Sequence, residues 1–461
     1  MKLTDISKVL FTLLVACLTF VPSNLKAYSI LTHEAIIDVS WEKYIKPLLK
    51  KKYPQTTDAE LKIAHSYAYG GSLMTDIGYS PYGSTYFTNL IHYVRTGDFV
   101  ENLLSEAQNV NEYAYAVGAL CHYMADSYGH SIGTNVVVPE VYPKIGEKYG
   151  KVVTYEEDHI SHSRTEIGFD VLQLARGNYA SQEFHDFIGF NVAVPVLERA
   201  FYKTYGEDVD EIFNNNIDHS VHNFRWAVNS LMPTVTRSAW LTKRSEIQQM
   251  QPGMTARKFN YHMHRKKYFA EFGRDRDRPE FRYRLLAFFM KIVPKIGPFR
   301  ALRFTPITPE GEKQFIKSFD TVINHYTTAL EQLSRGTPVK LANLNLDTGQ
   351  PITPEEYKLA DEAYCDLVVK LQENKFAFVT PTLKQNVLTF YSQADTAAIA
   401  KTDASRWKKA SAALQQFKDI TPITPDSLRA AEAIQDQKRL IKAKPKDLEV
   451  DKPKPEIPAK P

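Results

Sequence analysis

The chain has 461 residues, of which 43% are hydrophobic and 12% aromatic, so it can bury one large core or two to three smaller ones. Its formal net charge of +4 is too small to indicate a nucleic-acid-binding protein. Beyond the N-terminal region, no segment reaches the roughly 18 uncharged apolar residues that a membrane-spanning helix needs.

The first 27 residues have the features of an export signal. Lys2 and Lys8 precede an apolar run over residues 9–21, which is short for a membrane-spanning helix, and Ala27 supplies the small residue of a cleavage site. We therefore expect cleavage after Ala27 and export to the periplasm or the medium. A retained membrane anchor and a lipoprotein modified at Cys17 are the alternatives.

Helical periodicity with good capping residues recurs along the chain, and strand patterns are sparse, so the sequence predicts an all-α fold. Gly70 and Gly71 are expected to interrupt the chain ahead of Asp76. The predicted helices cover residues 32–49, 57–67, 111–130, 155–176, 182–205, 208–231, 309–334 and 354–373.

The composition changes near residue 248, where a basic helical extension over residues 248–340 is predicted. Within it, residues 257–303 contain 14 Lys or Arg against 4 acids, beside an apolar stretch at 285–299. This pattern is compatible with a solvated helix face and a helix packed on the core. It is also compatible with peripheral contact to anionic lipid headgroups.

A further helical segment over residues 341–439 holds no histidine and is assigned no chemistry. Residues 440–461 are rich in Lys and Pro and are expected to be a disordered tail. Cys121 and Cys365 follow the predicted cleavage site and either form a disulfide or lie separately as buried thiols.

The strongest local motif is the run from His122 through Asp126 to His130. These residues are each four positions apart, and this spacing places all three on one face of a helix. Imidazole nitrogen and carboxylate oxygen are ligands that zinc accepts. The alternative is a structural histidine with Asp126 as its partner, but three ligand residues in register favour a metal site.

His162 and Glu166 form a second pair with the same spacing. His159 lies three residues earlier, so the local choice of histidine is open. A histidine and a glutamate at this spacing are also common on exposed helix surfaces, and the pair alone is a weak signal for metal binding.

Three more candidates precede these motifs. Asp76 follows a glycine pair and is equally compatible with a turn or helix-cap aspartate. His92 has apolar flanks that suggest a core position, and His33 could be an exposed first-turn histidine. None of the three would be assigned to a metal without the others.

Taken together, the set resembles the trinuclear zinc phosphoesterases, which include bacterial zinc-dependent phospholipase C, fungal single-strand-specific nucleases and glycosylphosphatidylinositol-specific phospholipase D. Members are helical and carry their ligands in a fixed order, and the resemblance covers about a third of the chain. The separation of Asp126 and His130 is shorter than in the first two groups, so the chain leans toward the phospholipase D branch. The corresponding residues are Tyr28, His33, Asp76, His92, His122, Asp126, His130, His162 and Glu166.

The resemblance implies up to three zinc ions in a domain over residues 28–247. One ion would be held by Asp76, His92, His122 and Asp126. A second would be held by His130, His162 and Glu166, and a third by His33, Asp126 and the backbone of Tyr28. The family usually has Trp where this chain has Tyr28. Asp76 would also be catalytic, by orienting the attacking water or accepting its proton.

The implied activity is hydrolysis of phosphodiester bonds by activated water, with a phospholipid as the favoured substrate. Another phosphodiester is possible, as is peripheral contact with an anionic membrane, and no stable nucleic-acid complex is expected. The rival hypotheses are a single-strand nuclease with the same metals and a non-catalytic zinc-binding surface protein.

Overall fold

A computed structural model describes residues 30–80, 83–176, 189–225, 305–424 and 426–430, together with short stretches and single positions between 228 and 256 and at 433. The predicted signal peptide over residues 1–27, Tyr28, the basic run 257–303 and the tail 440–461 lie outside the described residues. The part that is described contains helices and no β-strand, so the all-α prediction is confirmed.

The helices that surround the candidate ligands come from the N-terminal half. They are α1 Ile30–Ser40, α2 Lys46–Lys52, α3 Asp58–Met74, α4 Thr85–Tyr93, α5 Thr96–Glu106, α6 Val110–Gly129, α7 Asn135–Val141, α8 Pro143–Tyr149, α9 His159–Arg176, α10 Val194–Tyr205 and α11 Val209–Ile212. Single π-helical turns at Trp41–Ile45 and His130–Thr134 connect α1 to α2 and α6 to α7.

The helices of the C-terminal half begin with a long one. They are α12 Pro309–Ser334, α13 Lys358–Glu373, α14 Pro381–Gln393, α15 Thr396–Thr402 and α16 Ala404–Asp419. Prolines at the first helical positions of α12 and α14 follow Thr308 and Thr380, whose hydroxyls accept backbone N–H groups as N-caps.

The predicted interruption at Gly70 and Gly71 is wrong, because α3 continues through both residues to Met74. The glycines instead let helices approach closely. A Cβ on Gly71 would lie 1.9 Å from the Tyr115 carbonyl oxygen of α6, and a Cβ on Gly118 of α6 would lie 2.0 Å from the Ala68 carbonyl oxygen of α3. Glycine is therefore required for packing here rather than for a turn.

Some predicted helix boundaries also move. The helix expected over residues 182–205 begins at Val194 in its described part, where Pro195 occupies the first turn. The helix expected over 208–231 is interrupted after α11, because Asn214 and Asn215 both have positive φ and end the helical path.

The C-terminal helices pack on the same hydrophobic core as the N-terminal ones. One cluster of buried apolar residues runs from Leu31 to Phe417 among the described positions. Tyr326 of α12 donates a hydrogen bond to the Val117 carbonyl at 3.0 Å. Cys121 and Cys365 are both buried free thiols, so they do not pair. No helix in the described part of the chain is long and apolar enough to cross a membrane.

Candidate metal centre

Helix α6 and the turn after it place His122, Asp126 and His130 on one buried face, as their spacing predicts. The α-helix ends at Gly129, and the π-turn that starts at His130 continues the helical path. Asp126 is 1% exposed and His122 is fully buried. Such polar side chains are stable in a core only when partners or ions compensate for the lost hydration.

Asp126 lies at the centre of the site, because its two oxygens face different histidines. Oδ2 lies 3.1 Å from His122 Nε2 and 3.4 Å from His92 Nε2. Oδ1 lies 3.4 Å from His33 Nε2 and 3.8 Å from His130 Nε2. One carboxylate thus connects four imidazoles from three helices and the π-turn, an arrangement suited to bridging two metal ions.

Asp76 and His92 join this carboxylate from the side of α3 and α4. Asp76 follows the end of α3, and its Oδ1 lies 3.4 Å from His92 Nε2. His92 sits in the last turn of α4, and its Nε2 lies 3.3 Å from His122 Nε2. The four residues Asp76, His92, His122 and Asp126 therefore form one compact group.

A second group forms around Glu166 of α9. Its Oε1 lies 2.9 Å from His162 Nε2 and 3.2 Å from His130 Nε2. The two imidazole rings are nearly perpendicular, with centroids 4.9 Å apart. His162, rather than His159, is the histidine that α9 directs to this group, and this settles the choice that the sequence leaves open.

His33 lies in the site because hydrogen bonds hold the start of α1 against α9. Asp170 of α9 accepts hydrogen bonds from the Leu31 N–H at 3.2 Å and the Thr32 hydroxyl at 2.8 Å. These contacts hold the first turn of α1, on which His33 lies. The His33 ring stacks on the His122 ring with centroids 4.6 Å apart.

Backbone carbonyls fix the orientation of two of the imidazoles. His92 Nδ1 donates to the Thr88 carbonyl at 2.8 Å, and His122 Nδ1 donates to the Ser72 carbonyl at 2.9 Å. With the proton on Nδ1, Nε2 carries the lone pair and faces the carboxylates. This is the usual arrangement of histidines that bind metal.

Burial and charge act against each other in this cluster. Burial and the neighbouring His122 lower the pKa of His33 well below its ordinary value, so that its imidazole is neutral at neutral pH. Burial alone would raise the pKa of Asp126, but His122 and His130 outweigh it and hold the pKa well below the ordinary value. Burial raises the pKa of Asp76.

The donor set and its spacing fit zinc. A tetrahedral zinc ion with bonds of about 2.0–2.1 Å keeps its ligand atoms about 3.3–3.4 Å apart. His92 Nε2 lies within 3.3–3.4 Å of atoms of His122, Asp76 and Asp126. Several carboxylate oxygens here are buried and accept no hydrogen bond from any residue that the structure describes. They are both oxygens of Asp76 and one oxygen each of Asp126 and Glu166. Burying this many carboxylate oxygens without hydrogen-bond donors is strongly unfavourable unless cations neutralise their charge.

The structure brings eight of the nine candidate ligands into one cluster, and Tyr28 lies outside the described residues. The groups whose atoms are close enough to share an ion are His33, His122 and Asp126; Asp76, His92 and His122; and His130, His162 and Asp347. His65, which is not a candidate ligand, instead lies 3.0 Å from Asp38 Oδ1 and stacks on Trp41.

Sequence reasoning missed Asp347. It lies in the segment 341–439, to which no chemistry was assigned, and its Oδ1 is 3.4 Å from His130 Nδ1. The segment thus places one carboxylate beside the cluster. Asp347 has no ligand-type neighbour at helical spacing and lies 217 positions after His130, so local spacing carries no signal for it.

Tyrosines border the cluster. The Tyr155 ring lies 5.4 Å from the His162 ring, and the Tyr79 ring lies 6.3 Å from those of both His92 and Tyr155. These rings lower the local polarity around the carboxylates and strengthen their interactions with cations.

Residues 32–215 match the family model of zinc dependent phospholipase C. The matched region contains all eight clustered candidate ligands and excludes Asp347. The match does not distinguish the phospholipase D branch, which stays a prediction. No curated protein and no solved structure matched the chain.

Proposed function

We propose that this protein is an exported phosphodiesterase that hydrolyses phospholipids at a cluster of up to three zinc ions, because residues 32–215 match the family model of zinc dependent phospholipase C. The observation that carries the proposal is the convergence of five imidazoles and three carboxylates in one buried cluster within the matched region. A non-catalytic zinc-binding protein would need only one closed site.

The residues would share the ions as the family resemblance implies. Asp76, His92, His122 and Asp126 would hold one ion, and His130, His162 and Glu166 a second. His33, Asp126 and the Tyr28 backbone would hold a third. When bound, zinc supplies Lewis-acid chemistry, in that it lowers the pKa of water and neutralises charge on phosphate oxygens.

The chain itself contributes orientation and proton handling. Asp76 has both carboxylate oxygens available to accept hydrogen bonds, so it can orient a water molecule and accept a proton from it. Hydrogen bonds from His92 and His122 to backbone carbonyls prevent these rings from rotating. Burial of the cluster keeps competing water away from the carboxylates.

The activity test compares substrates at equal concentration. Purified zinc-loaded protein is assayed on phosphatidylcholine vesicles, on single-stranded DNA and on bis(p-nitrophenyl) phosphate, with a chelated sample as control. The proposal predicts chelator-sensitive hydrolysis of the phospholipid and the small diester, with little cleavage of DNA. Faster cleavage of DNA would favour the nuclease, and bound zinc with no hydrolysis of any substrate would favour the non-catalytic binder.

Substrate access at a membrane is part of the proposal, and the basic run 257–303 supports it through its local excess of cations beside apolar residues 285–299. Each basic residue near an anionic bilayer contributes roughly 1 kcal/mol. Co-sedimentation with vesicles should therefore increase with their phosphatidylserine content and decrease with salt. Binding that responds to neither would contradict the membrane contact without affecting the proposed chemistry.

A further inference from the structure

Asp347 faces the histidines of the second group from the side opposite Glu166. Glu166 lies against the Nε2 atoms of His130 and His162. Asp347 Oδ1 instead lies 3.4 Å from His130 Nδ1 and 4.0 Å from His162 Nδ1. The two imidazoles are therefore placed between two carboxylates, one at each ring nitrogen.

The other oxygen of Asp347 is held in place by neutral donors. Its Oδ2 accepts a hydrogen bond from the Tyr155 N–H at 2.9 Å and another from the Tyr357 hydroxyl at 2.9 Å. These contacts fix the plane of the carboxylate and leave Oδ1 facing the two Nδ1 atoms. The side chain is 3% exposed, so water competes little for that oxygen.

The loop that carries Asp347, residues 341–351, is fastened to the helices of the metal centre. Leu346 N–H donates to the His92 carbonyl at 3.1 Å, and the Asn135 amide donates to the Asp347 carbonyl at 2.8 Å. Gly349 has a φ of +66°, and a Cβ there would lie 2.3 Å from the Ser127 carbonyl of α6. Only glycine allows the loop to approach α6 this closely.

We propose that Asp347 is a positioning residue for the second zinc ion, and that the C-terminal segment thereby completes a metal centre whose matched family region ends at residue 215. This inference rests on the proposed zinc site but not on the identity of the substrate. The Nδ1 atoms of His130 and His162 lie 3.4 Å and 4.0 Å from Asp347 Oδ1. With their protons on Nδ1, both imidazoles would have their Nε2 lone pairs directed at the ion beside Glu166. A carboxylate behind a metal-binding histidine fixes its tautomer and increases its basicity.

The test uses Asp347→Asn in the full mature chain, with zinc content and zinc affinity as the primary measurements. An amide cannot serve both sides of this site, because its NH2 group would face either the Nδ1 donors or the donors from Tyr155 and Tyr357. We expect the affinity of one zinc ion to fall by roughly 10–100-fold, with the remaining ions retained. In cobalt(II)-substituted protein, the visible absorption of one site should change.

Asp361→Asn is the matched control. Asp361 is a buried carboxylate of the same segment and accepts the Glu355 N–H at 3.0 Å, but it lies in none of the candidate metal groups among the described residues. It should retain wild-type metal content and cobalt spectrum. Tyr357→Phe keeps the Asp347 carboxylate and removes the hydroxyl that donates to its Oδ2. This variant should therefore lower zinc affinity as Asp347→Asn does, but by a smaller factor.

The outcomes separate this inference from the proposed function. Unchanged zinc affinity and cobalt spectrum in folded Asp347→Asn would overturn the positioning role. If Asp347→Asn does not fold, unchanged zinc affinity in Tyr357→Phe would overturn it instead. If wild-type protein binds zinc but hydrolyses no phosphodiester, the proposed function fails, whereas selective loss of one ion in Asp347→Asn would still support the role of Asp347.

Discussion

Substitution of Gly71 by alanine should disturb both the fold and the metal centre, because this glycine sets the separation of α3 and α6. The added Cβ would lie 1.9 Å from the Tyr115 carbonyl oxygen. That atom belongs to the backbone of α6 and cannot rotate away. An ordinary contact between these atoms is about 3.4 Å or longer, so the two helices must separate locally by about 1.5 Å.

The size of the effect follows from three contributions. Overpacking of this kind typically costs about 1–3 kcal/mol. Separation of the helices would also lengthen the 2.9 Å hydrogen bond from His122 Nδ1 to the Ser72 carbonyl, and a lost buried hydrogen bond costs about 1 kcal/mol. The higher helix propensity of alanine offsets roughly 1 kcal/mol. We therefore expect a net loss of about 1–3 kcal/mol in the free energy of unfolding.

Urea denaturation of the metal-free protein measures that loss, and zinc titration measures the effect on the centre. Zinc affinity should fall because His122 loses the contact that orients its ring. Gly168→Ala in α9 is the matched control, since its Cβ would lie 3.0 Å and 3.2 Å from atoms of the Ile307 side chain, which can move, and at an ordinary contact distance of 3.4 Å from the Thr305 carbonyl oxygen. It should change stability little or slightly increase it.

Equal stabilities for Gly71→Ala and Gly168→Ala would refute the argument that α3 and α6 are held at a separation only glycine permits. A large loss of stability with unchanged zinc affinity would refute the narrower claim that this helix crossing orients His122.

Three further predictions concern the cluster, a remote carboxyl and the start of the mature chain. Asp126→Asn should reduce activity and zinc content more than Glu166→Gln, because the oxygens of Asp126 face four imidazoles and Glu166 faces two. Loss of an outer-shell partner already costs roughly 10–100-fold in metal affinity or activity, so loss of a proposed ligand should cost at least as much. Equal losses in both variants would contradict the bridging role. Burial raises the pKa of Glu207 to about 8, so its contribution to stability is complete below its ordinary pKa of 4.5 and is lost as the pH rises through 8. The unfolding free energy of the Glu207→Gln variant should therefore decline less between pH 5 and 9 than that of the wild type, by roughly 1–4 kcal/mol. Urea denaturation at each pH measures this difference. Superimposable pH profiles would show that the carboxyl is not protonated in the folded state. Finally, protein that begins at Tyr28 should bind one more zinc ion than protein carrying extra residues before it, because a free α-amine with a pKa near 8 can bind metal. Equal metal content in both forms, or a mature chain that mass spectrometry finds to begin elsewhere, would argue against Tyr28 as a ligand.

Local periodicity predicted much of the fold and most of the candidate site. The helix that carries His122, Asp126 and His130 was identified from spacing alone, since residues four apart share a helix face whatever the helix packs against. The order of the remaining candidates then pointed to the family that the match over residues 32–215 supports. That these side chains are ligands stays a prediction.

The glycine pair shows where local reasoning fails. A pair of glycines such as Gly70 and Gly71 is typical of a helix end, because glycine has a low helix propensity. Helix α3 nevertheless continues through both, because its packing against α6 outweighs this local preference. A sequence pattern does not reveal which part of the chain a glycine will face. The tertiary structure shows that Gly70 lies against the Asn191 backbone and Gly71 against the Tyr115 backbone, where a side chain has no space.

The sequence by itself determined the helical class, the register of the candidate ligands within the helices it predicted, and the chemical character of the candidate site. Tertiary structure decided which candidate ligands meet, which of His159 and His162 faces the cluster, and that Asp347 lies beside them on a loop of the C-terminal segment. The physical reason is that helical spacing is fixed by the backbone within a few residues. The position of a loop residue far along the chain depends instead on how all the intervening helices pack against one another.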